Sequence, residues 1–323
     1  MRLPPPDFVI VGAPKCGTTA VYETLRQHPQ IFVPGLKEPH FFSYDFPARC
    51  AVETIKEYDR LFANAGRRQL RGEASTHYLR SKEATMAILR RRPDAKFIAM
   101  VRNPLSMFVS SHNECLNGRH EEEEDPEQAW VLQQERAEGR RIPKDCSEPT
   151  VLQYKMLCSL GAQIESFFRL VPERQRLVIV FDDLQQHPRQ AYEQIVDFLG
   201  IEDDGRDQFV REMVFGRPKS AMIGKVIRFA QTNPAVAMLS HKVKLPLNKY
   251  GIRPIYWLRQ HNTKYVAKPT LSIEFRRELE ATFAADVKLL GQLLCRDLCE
   301  LWSISGGAAH GGAAAGDRSF VRQ

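Results

Sequence analysis

The sequence predicts a three-layer α/β fold in which a central, mostly parallel β-sheet is flanked by helices. Short apolar runs of strand length alternate along the chain with longer segments that have helical periodicity. Strands that are separated by helices pair in parallel, and a parallel sheet is covered by helices on both faces. With 323 residues, of which 43% are hydrophobic, the chain can bury the core of one large domain. We expect this domain to span residues 1–303.

Four apolar runs are the predicted strands of the sheet, and a shorter extended segment covers residues 31–33. The four runs comprise residues 8–11, 69–74, 95–101 and 176–181. Helical periodicity predicts one helix that begins at Pro104 and further helices over residues 18–25, 52–65, 81–92, 127–138, 151–170, 188–199 and 271–302. Pro29 and Gly200 end two of them, because proline cannot continue a helix and glycine suits the left-handed position after one.

A tight loop, Gly12–Thr19, joins the first predicted strand to the first predicted helix. In such an arrangement the backbone N–H groups of the loop and of the first helical turn point at one spot, where the helix dipole adds partial positive charge. Strand, loop and helix in this order therefore predict an anion-binding site in a P-loop-like fold. The site should lie beyond the carboxyl ends of the strands, where open α/β sheets bind their ligands.

The spacing of this loop departs from the ATP-binding pattern G-x4-G-K-[ST] at one position. Gly12, Gly17 and Thr19 match the pattern, but Thr18 occupies the position of the lysine. The lysine lies instead inside the loop, at Lys15, from where it can reach a bridging oxygen of a shorter diphosphate-like group. The loop should therefore bind an anion, and a nucleotide kinase or another NTPase remains the alternative.

Several motifs, in the same order, resemble those of sulfotransferases that use 3′-phosphoadenosine 5′-phosphosulfate (PAPS). Residues 12–19, Gly-Ala-Pro-Lys-Cys-Gly-Thr-Thr, resemble the 5′-phosphosulfate loop, and residues 37–42, Lys-Glu-Pro-His-Phe-Phe, resemble a motif of the heparan-type and bacterial members. Residues 101–110, which contain Arg102, Pro104 and Ser110, are similar to the 3′-phosphate motif of this family. Residues 181–184, 198–200 and 295–302 resemble later parts of the same domain. The resemblance covers residues 7–303 and is weak over 208–262.

The resemblance implies how the donor nucleotide would be held. The backbone N–H groups of Cys16, Gly17, Thr18 and Thr19, together with the hydroxyls of the two threonines, would bind its 5′ end. Lys15 would stabilise the leaving phosphate. Arg102 would supply a planar, permanent cation for the 3′-phosphate. Ser110, about two helical turns further on, would donate from the same side. By loose similarity, Lys264 would also reach the nucleotide.

The resemblance also implies which residues act on the acceptor. Glu38 is the expected general base, and His40 would either orient Glu38 or touch the acceptor. His77 is the rival base, because the cytosolic branch of the superfamily uses a histidine on the strand that this residue follows. Residues 73–76, Glu-Ala-Ser-Thr, lack the lysine that heparan-type members carry there, so a glycosaminoglycan acceptor is less expected.

The function implied is transfer of the sulfuryl group from PAPS to an acceptor hydroxyl or amine, with release of 3′-phosphoadenosine 5′-phosphate (PAP). The acceptor would be a carbohydrate, a lipid or a small natural product. No metal is expected, since no carboxylate cluster in the sequence suggests one. Besides the kinase alternative, a non-catalytic nucleotide-binding module is a third interpretation.

Composition limits the partners and the class of protein. The formal net charge of +7 favours anionic partners, but no basic run is dense enough for a nucleic-acid-binding arm. Without an apolar leader or an apolar stretch of about 18 residues, the sequence predicts a cytoplasmic protein with no membrane span. The seven cysteines form no C-x-x-C pair, which argues against a disulfide framework and against a zinc site.

For two segments, the sequence pattern predicts no helix or strand. Residues 208–269 contain scattered basic residues and several prolines, and we expect a mobile cover over the site there. Residues 304–323 are rich in glycine and alanine, which predicts a disordered tail. The sequence leaves the oligomeric state open.

Overall fold

A five-stranded parallel sheet forms the centre of the molecule. The computed structural model describes residues 5–46, 48, 50–210, 216–219 and 262–304. The strands of the sheet are β1 (Phe8–Gly12), β2 (Ile31–Phe32), β3 (Leu70–Ala74), β4 (Lys96–Val101) and β5 (Arg176–Val180). Their order is β2-β3-β1-β4-β5, and every neighbouring pair is parallel. The four predicted strands and the three-layer α/β class are confirmed.

The middle strand β1 is buried along its whole length and pairs with β3 on one side and β4 on the other. Phe8 lies opposite Gly72 of β3, and a Cβ at Gly72 would lie 2.1 Å from the Phe8 ring. Only glycine at this position lets the large aromatic side chain pack across the strand pair. Phe8 and its neighbours on β1 therefore form the centre of the hydrophobic core.

Helices cover both faces of the sheet, as a parallel sheet requires. Through the described residues they are α1 (Thr18–Leu25), α2 (Ile55–Arg60), α3 (Lys82–Arg91), α4 (Pro104–Gly118), α5 (Pro126–Val131), α6 (Gln133–Ala137), α7 (Tyr154–Cys158), α8 (Leu160–Leu170), α9 (Phe181–Gln186), α10 (Pro188–Leu199), α11 (Ile273–Leu294) and α12 (Leu298–Leu301). Short 3₁₀ turns occupy Tyr78–Arg80, Pro149–Leu152 and Glu173–Gln175.

Local capping explains why several helices begin or end where the sequence predicts. Ser81 Oγ accepts a hydrogen bond from Ala84 N over 2.9 Å at the start of α3. Asn103 caps α4 in the same way, directly before Pro104 in the first turn. Gly200 follows α10 with φ of 73°, the left-handed conformation expected of a C-terminal glycine.

The single helix predicted over residues 151–170 is wrong. The chain forms a 3₁₀ turn and two helices there, with a break at Ser159 between α7 and α8. The cause is a partner distant in sequence: the Asp286 carboxylate of α11 accepts from Gly161 N and Ala162 N over 2.8 and 2.9 Å and so caps α8. The predicted helix 271–302 is likewise divided, because Cys295 takes a left-handed conformation with φ of 51°.

A two-stranded antiparallel sheet, β6 (Gly216–Pro218) and β7 (Thr263–Tyr265), lies against α4. The side-chain amides of Asn113 and Asn117 both donate to the Gly216 carbonyl, over 3.3 and 2.8 Å. The rest of the predicted cover, residues 211–215 and 220–261, lies outside the described residues. Most of the predicted tail, residues 305–323, does so as well, while Ile304 is buried. Within the described ranges, no helix combines the length and the apolar character needed to cross a bilayer.

Candidate active site

The loop between β1 and α1 needs glycine at both of its glycine positions. Gly12 has φ of 130°, and a Cβ there would lie 2.2 Å from the Thr76 carbonyl oxygen. Gly17 has φ of 86°, and its Cβ would lie 2.9 Å from the Leu184 side chain. Both positive φ values are readily adopted only by glycine. The loop therefore packs closely against the end of β3 on one side and against helix α9 on the other.

The start of α1 offers backbone N–H groups to a ligand. Gly17 is its N-cap, no side chain caps the helix, and its first turn contains no acidic residue, so the positive end of the dipole is not compensated. The Cys16 thiol is fully buried, with Sγ 3.9 Å from Met107 Sδ, and only the backbone of Cys16 can serve a ligand. Thr18 is buried and Thr19 half-buried.

Lys15, inside the loop, forms an ion pair that the sequence did not predict. Its backbone φ is 64°, and its ammonium lies 2.6 Å from Glu114 Oε2 of α4. The two side chains are 29% and 63% exposed. Ser110 precedes Glu114 by about one helical turn, so Ser110 lies on the face of α4 that borders the loop. The helical spacing from Ser110 was the one signal that could have indicated Glu114.

Arg102 fastens the end of β4 to the same loop. Its side chain is buried, and Nη1 donates a hydrogen bond to the Lys15 carbonyl over 2.7 Å. The guanidinium carbon lies 4.2 Å from the centre of the Phe181 ring at the start of α9, a cation–π contact. Arg102 therefore adds a buried positive charge directly beside the predicted anion site.

The turn formed by residues 37–42 lies beside the loop at the carboxyl edge of the sheet. Glu38 N donates to the Ala74 carbonyl at the end of β3 over 2.8 Å. Ala74 in turn pairs with Ile10 of β1, the strand that leads into the loop. The parallel register therefore brings the Glu38 turn and the Lys15 loop to neighbouring strand ends, as the sequence predicts for such a sheet.

Glu38 is flanked by two groups of positive character. Lys37 Nζ lies 2.5 Å from Oε1, and His40 Nε2 lies 3.4 Å from Oε2. Burial alone would raise the pKa of Glu38, but the Lys37 ammonium and the His40 ring outweigh it and hold that pKa well below its usual value. The side chain is still 35% exposed. Glu38 is therefore an accessible carboxylate that stays ionised at neutral pH.

The two candidate histidines lie together behind Glu38, with ring centres 5.2 Å apart. His40 is buried, and its Nδ1 has no hydrogen-bond partner among the described residues. His77 is also buried, and its Nδ1 accepts a hydrogen bond from Arg80 Nε over 3.1 Å. The neutral His77 ring must then carry its proton on Nε2, which makes that nitrogen a donor.

Glu73 is a second carboxylate that the sequence did not single out as functional. It is fully buried on β3, and the hydroxyl groups of Tyr58 and Ser75 donate to its two oxygens. Burial raises the pKa of Glu73 to about 7, although the hydrogen bonds oppose the shift. A carboxylate within a strand that is buried on both faces was the signal available in the sequence.

Lys264 lies on β7, where it pairs in register with Arg217 of β6, and its side chain is exposed. The small sheet binds α4 through Asn113 and Asn117, which flank Glu114. Lys264 is thus carried on an element that packs against the helix containing Ser110. Its contact with a nucleotide stays a prediction.

The described part of the chain contains no cluster of three or more His, Cys, Asp or Glu residues arranged to hold a metal ion. All seven cysteines are free thiols. This edge of the sheet brings together a loop of N–H donors, two nearby cations and an ionised carboxylate.

A family model described as "Sulfotransferase domain" matches residues 5–242 of the 323-residue chain. Among curated proteins, human heparan sulfate glucosamine 3-O-sulfotransferase 6 is 35% identical over 112 residues, which are 35% of this chain and 31% of that protein. Human heparan sulfate glucosamine 3-O-sulfotransferase 3B1 is 28% identical over 198 residues, or 61% of this chain and 46% of that protein. The chain thus spans less than half the length of these relatives.

One solved structure is similar over nearly the whole chain. The crystal structure of a sulfotransferase from Alicyclobacillus acidocaldarius superposes with a TM-score of 0.66 and 25% sequence identity. The alignment covers 92% of this chain and 98% of that chain. The similarity therefore extends beyond the residues that the family model matches.

Proposed function

Since this chain belongs to the sulfotransferase family, we propose that it transfers the sulfuryl group of PAPS to an acceptor hydroxyl or amine. The observation that carries the proposal is the meeting of two elements at one edge of the sheet. One is the loop with Lys15 and Arg102, and the other is the turn with the ionised Glu38. An anion site beside an accessible base is the arrangement that sulfuryl transfer needs.

The residues of the loop fit the donor nucleotide. The α1 N-terminus without a side-chain cap and the backbone N–H groups of Cys16, Gly17, Thr18 and Thr19 suit the 5′-phosphosulfate. The buried guanidinium of Arg102 suits the 3′-phosphate, since its fork matches phosphate geometry. Ser110, on the adjacent face of α4, adds a hydroxyl donor, and Lys264 is a further candidate from the small sheet.

Lys15 would stabilise the leaving phosphate. When PAPS is bound, it supplies a sulfuryl group on an activated phosphosulfate. Lys15 must first leave Glu114, to which its ammonium is paired at 2.6 Å. Because both side chains of this pair are partly exposed, the exchange of one anionic partner for another costs little.

Glu38 would accept the proton of the acceptor. Its lowered pKa keeps it ionised and ready at neutral pH, and its exposure leaves it accessible to a substrate. His40, at 3.4 Å from Oε2, would hold the carboxylate in place. The acceptor oxygen or nitrogen bonds to sulfur as the bond to the leaving phosphate breaks, and the proton passes to Glu38.

His77 is less suited to this task. Its Nδ1 already accepts from Arg80, and its Nε2 must then carry the ring proton. His77 would therefore act as a donor, and Glu38 is the base that the geometry supports better.

The acceptor we propose is a carbohydrate, a lipid or a small natural product. The curated relatives are named as heparan sulfate sulfotransferases. Here Ala74, which is fully buried, stands in the run where heparan-type members carry a lysine. We therefore expect a neutral acceptor in preference to a glycosaminoglycan.

A screen with sulfur-labelled PAPS tests the proposal across carbohydrate, lipid and small-molecule acceptors. We expect transfer to one class, and we expect Glu38→Gln to lower turnover by about 100-fold or more, as for loss of a general base. Glu53→Gln, the same change at an exposed carboxylate, should leave turnover unchanged. Binding of PAP without transfer to any acceptor would indicate a non-catalytic module. Binding of Mg-ATP without PAP would favour a kinase.

A further inference from the structure

A buried polar network lies directly beneath the turn formed by residues 37–42. Glu73 of β3 is fully buried, and both oxygens of its carboxylate accept hydrogen bonds. The Tyr58 hydroxyl donates to Oε1 over 2.7 Å, and the Ser75 hydroxyl donates to Oε2 over 2.8 Å. A buried carboxylate is tolerated only when it is paired in this way.

The network continues into the backbone of the turn. His40 N donates to Ser75 Oγ over 3.0 Å. On either side of it, Glu38 N donates to the Ala74 carbonyl over 2.8 Å and Phe42 N donates to the Tyr78 hydroxyl over 3.1 Å. Every second amide of the turn is therefore hydrogen-bonded to the last residue of β3 or to the segment that follows it.

The turn depends on these hydrogen bonds because its backbone is strained. Glu38 and His40 have φ values of 61° and 49°, which residues other than glycine rarely adopt. Such conformations persist only where surrounding contacts hold them. Loss of the bond from His40 N would let the turn relax and move the two side chains apart.

Hydrogen bonds of the His40 ring do little to fix its orientation. Its Nδ1 has no hydrogen-bond partner among the described residues, and its Nε2 lies 3.4 Å from Glu38 Oε2, which is long for a hydrogen bond. Besides its packing against the His77 and Tyr78 rings, the position of the His40 ring against Glu38 therefore depends on the backbone that carries it.

We propose that Glu73, acting through Ser75, is a positioning residue that fixes His40 against the Glu38 carboxylate. The inference rests on the proposed function for its assignment of Glu38 as the base. Because the Ser75 hydroxyl donates to Glu73, its lone pairs face His40 N. An apolar residue at position 73 would fill the space but would leave the Ser75 hydroxyl free to turn.

Ser75→Ala in the full chain tests the proposal. We expect kcat to fall by about 10- to 100-fold, as for a catalytic group displaced by about 1 Å, while PAP binds within twofold of wild type. The charged groups facing Glu38 are Lys37 and His40. With His40 displaced, the pKa of Glu38 rises, so the acid limb of the pH–kcat profile moves to higher pH.

Ser111→Ala is the matched control. Ser111 is also buried, and its Oγ has no hydrogen-bond partner among the described residues, so removing this hydroxyl should change neither kcat nor the pH profile. Thermal denaturation of both variants shows how far each substitution affects stability alone. A fall in kcat confined to Ser75→Ala separates positioning from general loss of packing.

The NMR signal of the His40 ring supplies a readout that needs no activity. The His40 signal is assigned by its absence in His40→Gln. We expect Ser75→Ala to shift this signal, and Ser111→Ala to leave it unchanged. Should wild type transfer no sulfuryl group, the proposed function fails, whereas the ring signal still reports on the positioning.

A folded Ser75→Ala variant with wild-type kcat, pH profile and His40 signal would overturn the proposal. Equal losses of kcat and PAP affinity would also overturn it, because they indicate a purely structural role. If Ser75→Ala does not fold, Tyr58→Phe removes one donor to Glu73 and keeps the ring. We then expect smaller changes of the same kind in kcat, in the pH profile and in the His40 signal. An unchanged pH profile in Tyr58→Phe would contradict the proposal.

Discussion

The two elements that meet at the edge of the sheet are built in different ways. The loop Gly12–Gly17 has glycine at two positions of positive φ where a Cβ would collide with neighbouring atoms, although Lys15 between them also has positive φ and Arg102 holds its carbonyl. The turn at residues 37–42 contains no glycine, and two of its residues still have positive φ. Hydrogen bonds from its amides to the Ala74 carbonyl and to the Ser75 and Tyr78 hydroxyls hold it in that conformation.

This difference separates what the sequence can specify from what only the fold can supply. A glycine spacing can be recognised in a sequence, because glycine is needed wherever the backbone is left-handed and crowded. Residues 37–42 resemble a family motif, but their strained conformation, which contacts with a distant strand maintain, has no local signature. Substitutions in the loop should therefore weaken donor binding as well as turnover, whereas substitutions around the turn should change turnover and its pH dependence and leave donor binding intact.

The largest effect is expected from Lys15→Ala. Removing the cation from the loop should lower turnover by about 100- to 1,000-fold, because the leaving phosphate loses a preorganised positive charge. Turnover is measured with labelled PAPS, and Lys56→Ala on the exposed side of α2 is the control. Wild-type turnover in Lys15→Ala would show that the loop takes no part in the reaction.

Arg102→Lys should have the next largest effect. Lysine keeps the charge but loses the planar fork, so both the bond to the Lys15 carbonyl and the contact with the Phe181 ring are lost. We expect PAP affinity, measured by calorimetry, to fall by about tenfold, which corresponds to about 1.4 kcal/mol. An unchanged affinity would show that the guanidinium does not face the nucleotide.

Lys37→Met should change the pH dependence of turnover more than its maximum. The Lys37 ammonium lowers the pKa of Glu38, so its removal lets that pKa rise toward the ordinary value. Glu38 then becomes protonated at higher pH, and the acid limb of the pH–kcat profile shifts upward. A limb that stays in place, or shifts downward, would contradict the assignment of Glu38 as the base.

The smallest effect is expected from Glu114→Gln. Nucleotide binding must separate Lys15 from Glu114, and a partly exposed pair of this kind is worth about 0–1 kcal/mol. Without the competing carboxylate, PAP should bind up to about fivefold more tightly. The gain should shrink as salt is added, because exposed charges are screened. Weaker binding in this variant would show that Glu114 itself supports the nucleotide.

The sheet was predictable from the sequence because its strands are apolar runs separated by helical segments. The start of α4 was equally predictable, since Pro104 suits a first helical turn. The division of residues 151–170 into two helices was not, because the cap of α8 is the carboxylate of Asp286, which lies more than a hundred residues later. Local propensity contains no information on such a partner.

The residues of the candidate site also fall into two groups, those that the sequence predicts and those that only the fold brings together. Lys15, Glu38 and Arg102 were predicted from motifs, and the structure brings the elements that carry them to one edge of the sheet. Glu114 and the network of Glu73 were missed, since each depends on a contact between residues far apart in sequence, Lys15 with Glu114 and His40 with Ser75. A sequence pattern can indicate a reactive side chain, whereas its supporting contacts depend on the fold.

Calorimetric titration of PAP into wild type, Lys15→Ala and Glu38→Gln tests the central claim most directly. The claim is that the loop binds the donor and the turn serves the acceptor. We predict that Lys15→Ala weakens PAP binding by about tenfold or more, while Glu38→Gln binds PAP as wild type does. Equal weakening in the two variants, or wild-type binding by Lys15→Ala, would contradict it.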